Sequence, residues 1–268
     1  MSIQALRTGA TGMRAMEMNL DVIANNIANV NTTAFKRSRA NFENLFYQYI
    51  KLPGAQDAFN NYAPTGLALG LGARVQGTQI MFQQGSFITT NNQLDVAIDG
   101  DGFFQVIDPS TNNFLYTRAG NFAVNSNGVL VIGSSNTGRV IQPQITIPID
   151  TTGILISAEG NVSIQQFGQT QFSQVGQLQM AKFLNEEGLL AMGENLYQET
   201  LSSGAAIFGQ PGTNGLGTLN QNMLESSNVD PTNELIDLIT TQRAFELNSQ
   251  TVQAGDQMLQ LINNLRRF

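Results

Sequence analysis

Apolar residues recur every seven positions at both ends of this chain, and every second position in short runs between them. Near the N-terminus Leu6, Met13, Leu20 and Ile27 form one series, and Met16, Ile23 and Val30 form a companion series three positions on. Two such rows make the a/d seam of a coiled-coil helix. Ala5, Ala10, Ala15, Ala24 and Ala28 favour that helix and keep it slim. Near the C-terminus Leu238, Phe245, Val252 and Leu259 repeat the spacing, and Ala244, Met258 and Leu265 widen the stripe. This second helix has a start signal in SNVDPTNE: Asp230 as N-cap, Pro231 at the first helical position and Glu234 in the first turn. Arg266 and Arg267 suit the negative end of its dipole. Two such helices at the two termini predict pairing with each other, with the rest of the chain inserted between them. A stripe wider than a two-helix seam calls for further apolar partners.

The middle of the chain reads as β. LDVAIDGDGFFQVID alternates Leu94, Val96 and Ile98, turns at Asp99–Gly102, and resumes with Phe104 and Val106. FAVNSNGVLVI is a hairpin candidate turning at Asn127-Gly128. ITIPID, ILISAEGNVSI and QLQMAKFLNEEGLLAM continue as short strands, at a spacing that suggests an antiparallel barrel or sandwich. GQPGTNGLGTL reads as a flexible loop back towards the C-terminal helix, and NFENLFYQYIKLPGAQ fits either helix or strand. The expected fold class is α+β: a discontinuous coiled-coil domain of N- and C-terminal helices, with a central all-β antiparallel domain between them. The expected division is 1–35 plus 228–268 as the helical domain, 36–90 plus 190–227 as a connecting extended segment, and 91–189 as the β domain.

Composition changes the picture in one respect. Only 12% of the 268 residues are charged, about half the usual ~25%, and amides replace them, with 28 Asn and 26 Gln. Such a surface is wetted but weakly repulsive, as suits one that lies against copies of itself, where dense charge would have to be desolvated. The net charge of −7 argues against nucleic acid, which selects a basic face. There is no Cys, His or Trp. That excludes disulfides, thiolate metal sites, an imidazole base and Ser-His-Asp catalysis. Arg7, Arg14, Glu17 and Asn19 interrupt any apolar run of the kind a secretory signal needs, and no stretch is long enough for a membrane helix. No membrane insertion is expected.

Candidate chemistry is sparse. Asp99 and Asp101 read as turn residues, since no complete calcium loop follows. Glu186 and Glu187 are adjacent, which does not make two carboxylates face each other across a cleft. The glycines of GLALGLG lack the Lys-Ser/Thr of a phosphate loop. Lys36, Arg37 and Arg39 read as a solvated flank that complements a helix dipole. No catalytic residue, cofactor or metal site is expected, and no enzyme. Asn25, Asn26, Asn29 and Asn31 run against helix propensity beside the seam. Some are expected to cap the helix end, and others to bond neighbouring subunits as a joint.

LDVIANNIANVNTTAFKRSR (20–39) resembles the signature of flagellar rod and hook axial proteins. LDVAIDGDGFFQV (94–106), YTRAGNFAV (116–124) and ESSNVDPTNELIDLITTQRAFELNSQTVQAGDQMLQ (225–260) resemble further motifs of that family, in the same order. FYQYIKLPGAQ (46–56) and GARVQGTQIMFQQGSF (72–87) resemble its distal-rod branch. Ala34 stands where the family commonly has Gly, and Phe245 where Tyr is common. The resemblance implies a structural protein of the bacterial flagellar basal body that assembles helically with copies of itself into a hollow shaft crossing the periplasm. It implies torque transmission, part of an export channel, and export by the flagellar type III apparatus without a cleaved signal. The implied partners are the proximal rod proteins, the hook protein and the ring proteins around the rod. Leu6, Met13, Leu20, Ile23, Ile27, Val30, Leu238, Phe245, Val252 and Leu259 become candidate self-assembly residues. The alternatives are another axial protein of the same family, or a secreted β-rich binding module. A cell-wall hydrolase has no motif in its favour.

Overall fold

The computed structural model describes residues 3–54, 56, 61–62, 64–109, 111–132 and 138–265. Their contacts divide the chain into two units. Unit 1 takes Met1–Ala28, Ser38–Ile80 and Asp230–Phe268, and unit 2 takes Asn29–Arg37 and Met81–Val229.

Unit 1 holds helix α1 (Ile3–Ala28), strands β1 (Ser38–Asn44), β2 (Tyr47–Lys51), β3 (Leu67–Gly70) and β4 (Ala73–Ile80), and helix α2 (Pro231–Leu265). The start of α2 follows the expected cap: Thr232 N–H donates to Asp230 Oδ1 at 2.9 Å, and Glu234 N–H donates to the Asp230 carbonyl at 3.0 Å. Arg266 and Arg267 lie outside the described residues. The helices pair antiparallel, with Gly12 beside Asn248 and Leu6 beside Gly255. A Cβ on Gly255 would lie 2.4 Å from Leu6 Cδ2, so any side chain there would displace Leu6 from its place in the seam. Glycine inside a helix costs about 1 kcal/mol against alanine, which this close packing offsets. Helix α1 also packs on β1 and β4, which pair with each other, while β2 pairs with β3. The segment that fitted helix or strand is therefore extended. The apolar series does not continue through Val30, because α1 ends at Ala28.

Unit 2 contains β5 (Phe87–Thr89), β6 (Val96–Asp99), β7 (Phe103–Ile107), β8 (Phe114–Thr117), β9 (Phe122–Val124), β10 (Leu130–Ile132) and β11 (Arg139–Gln142). It continues with β12 (Thr151–Ile156), β13 (Asn161–Gln166), β14 (Ser173–Gln177), β15 (Met180–Lys182) and β16 (Leu190–Gly193). The last strands are β17 (Leu196–Gln198), β18 (Ile207–Gly209), β19 (Thr218–Gln221) and β20 (Met223–Glu225). The largest sheet runs β16-β17-β8-β7-β11-β10-β9, with β15 pairing β7 and β18. Three strands thus share β7, which makes the sheet branched and open; among the described residues no barrel closes. Strands β9 and β10 form the expected hairpin, with Asn125 Oδ1 accepting from Asn127 N–H and Val129 N–H and Gly128 at φ 78°. The turn at Asp99–Gly102 divides two sheets: β6 pairs with β19, while β7 joins the large sheet. ITIPID contributes only an isolated bridge at Thr146, with Ile145 and Ile147 buried. The core gathers Val96, Ile98, Phe104, Val106, Leu178, Met180 and Leu219 with residues of the hairpins. Leu216, in the stretch read as a flexible loop, is buried in that core and donates its N–H to the Thr213 carbonyl.

Candidate assembly interface

The described residues offer no grouping of three or more metal-ligating side chains. No described helix is long and apolar enough to cross a membrane. The features that concentrate physical cost are instead polar groups buried between distant segments and apolar groups left outside.

In unit 1 the pairing of the helices has two rows. On α2 the first is the expected one, Leu238, Phe245 and Val252, all half-buried. The second, also at seven-residue intervals, is Glu234, Thr241, Asn248 and Gly255, and it is polar or small throughout. These residues meet α1 residues spaced the same way: Asn19 Nδ2 donates to Thr241 Oγ1 at 3.0 Å, and Asn26 Nδ2 donates to Glu234 Oε2 at 3.2 Å. Asn26 is 1% exposed and also holds β1, donating to the Ser38 carbonyl at 2.8 Å and accepting from the Ser38 N–H at 2.9 Å. Both donors and the acceptor of one amide are used, as burial requires. A buried polar contact that fits only one alignment specifies register, as a polar residue in a coiled-coil seam does. The signal was present in the sequence, since Asn19 and Asn26 are seven apart and so are Glu234, Thr241 and Asn248. A search for apolar recurrence passes over it.

Of the other joint asparagines, Asn29 Oδ1 accepts from Thr32 Oγ1 at 3.1 Å in the turn after α1, a bond between side chains. Asn25 and Asn31 are exposed. Among the candidate self-assembly residues, Ile23 is buried, and Leu6, Met13, Leu20 and Ile27 are half-buried on α1. Val30 sits in the turn, and Leu259 is exposed. Residues outside that candidate set form the outward apolar face of α2: Leu235, Ile236, Ile239, Leu247, Leu261 and Ile262 are each more than half exposed.

Unit 2 corrects the reading of Lys36 as part of a solvated flank, while Arg39 of that cluster is exposed. The Lys36 side chain is fully buried, eight residues past the end of α1. Its Nζ donates to Glu225 Oε1 at 2.7 Å and to the Gln83 carbonyl at 2.7 Å. Arg118 Nε donates to Glu225 Oε2 at 3.0 Å, and its Nη1 and Nη2 donate to the carbonyls of Gly102 and Gly100. The guanidinium lies 5.8 Å from the Phe103 ring centre. Gly85 N–H completes the site by donating to Glu225 Oε1 at 2.9 Å. Burial, then the charge of Arg118, push the Lys36 amine down to about 8, against the opposing pull of Glu225. Burial pushes the Glu225 carboxyl up, but Arg118 and Lys36 outweigh it and hold the group below the ordinary range. Two cations share one anion here, and backbone carbonyls offset part of the excess charge: those of Gln83, Gly100 and Gly102 are the acceptors. Glu225 lies 189 positions from Lys36, so no local pattern exposes the pairing.

The comparisons fall on these same segments. Residues 6–36 match the family described as Flagella basal body rod protein, residues 97–164 the Flagellar hook protein FlgE/F/G D1 domain, and residues 220–265 the Flagellar basal body rod FlgEFG protein C-terminal. The buried triad takes one residue from each match: Lys36, Arg118 and Glu225. The chain is 46% identical over 265 residues to the flagellar basal-body rod protein FlgG of Caulobacter vibrioides, covering 98% of this chain and 100% of the relative. It is 42% identical over 267 residues to that of Borreliella burgdorferi, covering 99% of each. For Bacillus subtilis FlgG the figures are 38% over 268 residues, covering 99% of this chain and 100% of the relative. With its terminal helices paired, an antiparallel β region between them in the chain, and relatives matched over the full length, the chain belongs to the FlgG family of flagellar basal-body rod proteins, the structural proteins of the distal rod.

Proposed function

We propose that the chain performs its structural role by helical self-assembly into a hollow shaft, in which the terminal helices form the inner layer and the β region lies outside them. The observation that carries this reading is the outward face of α2, where six large aliphatic side chains stay more than half exposed after the intrachain seam is filled. Covering the exposed parts of those six would contribute roughly 5–9 kcal/mol per subunit. Association costs about 4–15 kcal/mol, so a single pairwise contact is marginal and a repeating array of contacts is needed. Heterologous contacts that do not close into a ring extend as a filament. The division into 1–35 plus 228–268, 36–90 plus 190–227, and 91–189 is proposed as inner, connecting and outer parts of that assembly.

In the cell the shaft would cross the periplasm and transmit torque from motor to hook. Its neighbours would be the proximal rod proteins, the hook protein and the surrounding rings, and subunits would arrive through the type III export apparatus. The role needs no catalysis. Electron microscopy of the purified protein across a concentration series tests the reading: tubular polymers are the expected result. Monodisperse monomer at the highest concentration, in a sample whose helices are formed by circular dichroism, would overturn it.

A further inference from the structure

Residues 216–229 reach across unit 2 in a way that neither the rod assignment nor the assembly reading requires. Leu216 and Leu219 enter the core. Strand β19 is hydrogen-bonded to β6, and β20 to β5, each as a two-stranded pair. Gln221 Nε2 donates to the carbonyls of Gln93 and Ile154, and its Oε1 accepts from Ile156 N–H. The Glu225 carbonyl accepts from Ala34 N–H. Asn228 Oδ1 accepts from Arg37 N–H at 2.7 Å, while its Nδ2 donates to the carbonyls of Met81 and Gln83. One stretch of fourteen residues therefore fastens the 34–37 segment, the 81–87 segment and the glycine turn at 100–102.

We propose that 216–229 is a closing strap and that Glu225 is its lock. Before the strap docks, Lys36 and Arg118 have no carboxylate hydrogen-bonded to them; Glu186, ahead of the strap, acts on both charges only at a distance. Two cations so weakly neutralised stay in water rather than enter an apolar interior. The segments that carry them, 34–37 and 100–118, cannot then take their final places, and neither can 81–87, whose Gln83 carbonyl and Gly85 N–H complete the same site. A chain made from its N-terminus holds this part of unit 2 open until the strap is complete, although every core strand from β5 to β18 precedes it. The same segments open together as one cooperative element when the strap lets go.

Native-state hydrogen exchange on the full chain tests this. Glu225→Gln removes the charge and keeps the shape. The expected result is exchange at least tenfold faster at 34–37, 81–90, 96–102 and 216–228 together, with the β13–β14 hairpin and the α1–α2 pair at their original rates. If Glu225→Gln fails to fold, Asn228→Ala carries the test. It loosens the strap without stranding a charge, and should accelerate the same four segments to a smaller extent. Acceleration spread evenly over unit 2, or confined to 216–228, overturns the proposal, as does no change at any of the four.

Discussion

Asn26 and Glu234, 208 positions apart, are joined by a side-chain hydrogen bond of 3.2 Å in a place where both residues are 1% exposed. The contact ties the last turn of the first helix to the first turn of the last one, and the same amide holds Ser38 by two further bonds. Removing it takes one hydrogen bond from the buried Glu234 carboxylate and two from the half-buried Ser38 backbone. Asn26→Ala should cost roughly 2–4 kcal/mol of stability, measured by urea unfolding followed by circular dichroism. Asn26→Asp should cost more, since it sets a second carboxylate against Glu234. A loss under about 0.5 kcal/mol for Asn26→Ala would mean the clasp does not hold the helices.

The two faces of α2 make opposite predictions. Ile239→Asp and Leu247→Asp place charge on a surface that is already exposed, so thermal unfolding should shift little while polymers disappear from micrographs. Leu6→Asp and Val252→Asp put charge where α1 and α2 touch, at Gly255 and Gly9, and should lower stability by about 2 kcal/mol or more. Loss of polymer in the second pair without loss of stability would show that the seam is not the intrachain contact described above.

Ala34 carries φ 57° and is 1% exposed. A left-handed residue with a Cβ costs about 1–2 kcal/mol, and a buried methyl returns part of that. Ala34→Gly should therefore lie between neutral and about 1 kcal/mol stabilising. Ala34→Val should cost more than about 2 kcal/mol, because a β-branched side chain is a severe outlier at this φ. Equal stabilities for the two variants would argue against the left-handed conformation. The sequence flagged the position only through the family's usual glycine; the positive φ explains why glycine suits it.

The pH dependence follows from the triad. Glu225 is held below its ordinary pKa in the fold, so above about 4.5 its charge supports stability, and that support drains away as pH falls below this value. Lys36 is held at about 8 against an unfolded 10.5, so between those values the unfolded chain binds more protons. For this group stability rises with pH across that window. Urea midpoints followed from acid to alkaline pH, through both windows, should show both limbs in the parent protein. Lys36→Met should abolish the alkaline rise and leave the acid limb; an unchanged alkaline rise would assign it to another group.

Much of this molecule could be read along the chain, and the reason is period. Heptads at both ends, the Asp230-Pro231 start signal and the alternation around Val96 are local patterns that one element imposes on its own sequence. The α+β class, the two helices and the Asn125–Val129 turn followed from them. Composition removed imidazole and thiol chemistry outright. Tertiary structure decided whatever depends on residues that meet from far apart. Lys36 reads as a solvated cation until Glu225 arrives to pair with it, and Asn26 reads as a poor helix former until Ser38 and Glu234 use its amide. Strand partners were likewise open, since β6 finds β19 rather than the adjacent β7. The physical reason is the same in each case. A side chain's own chemistry sets what it costs to bury, and only the fold sets whether a partner is present to offset that cost.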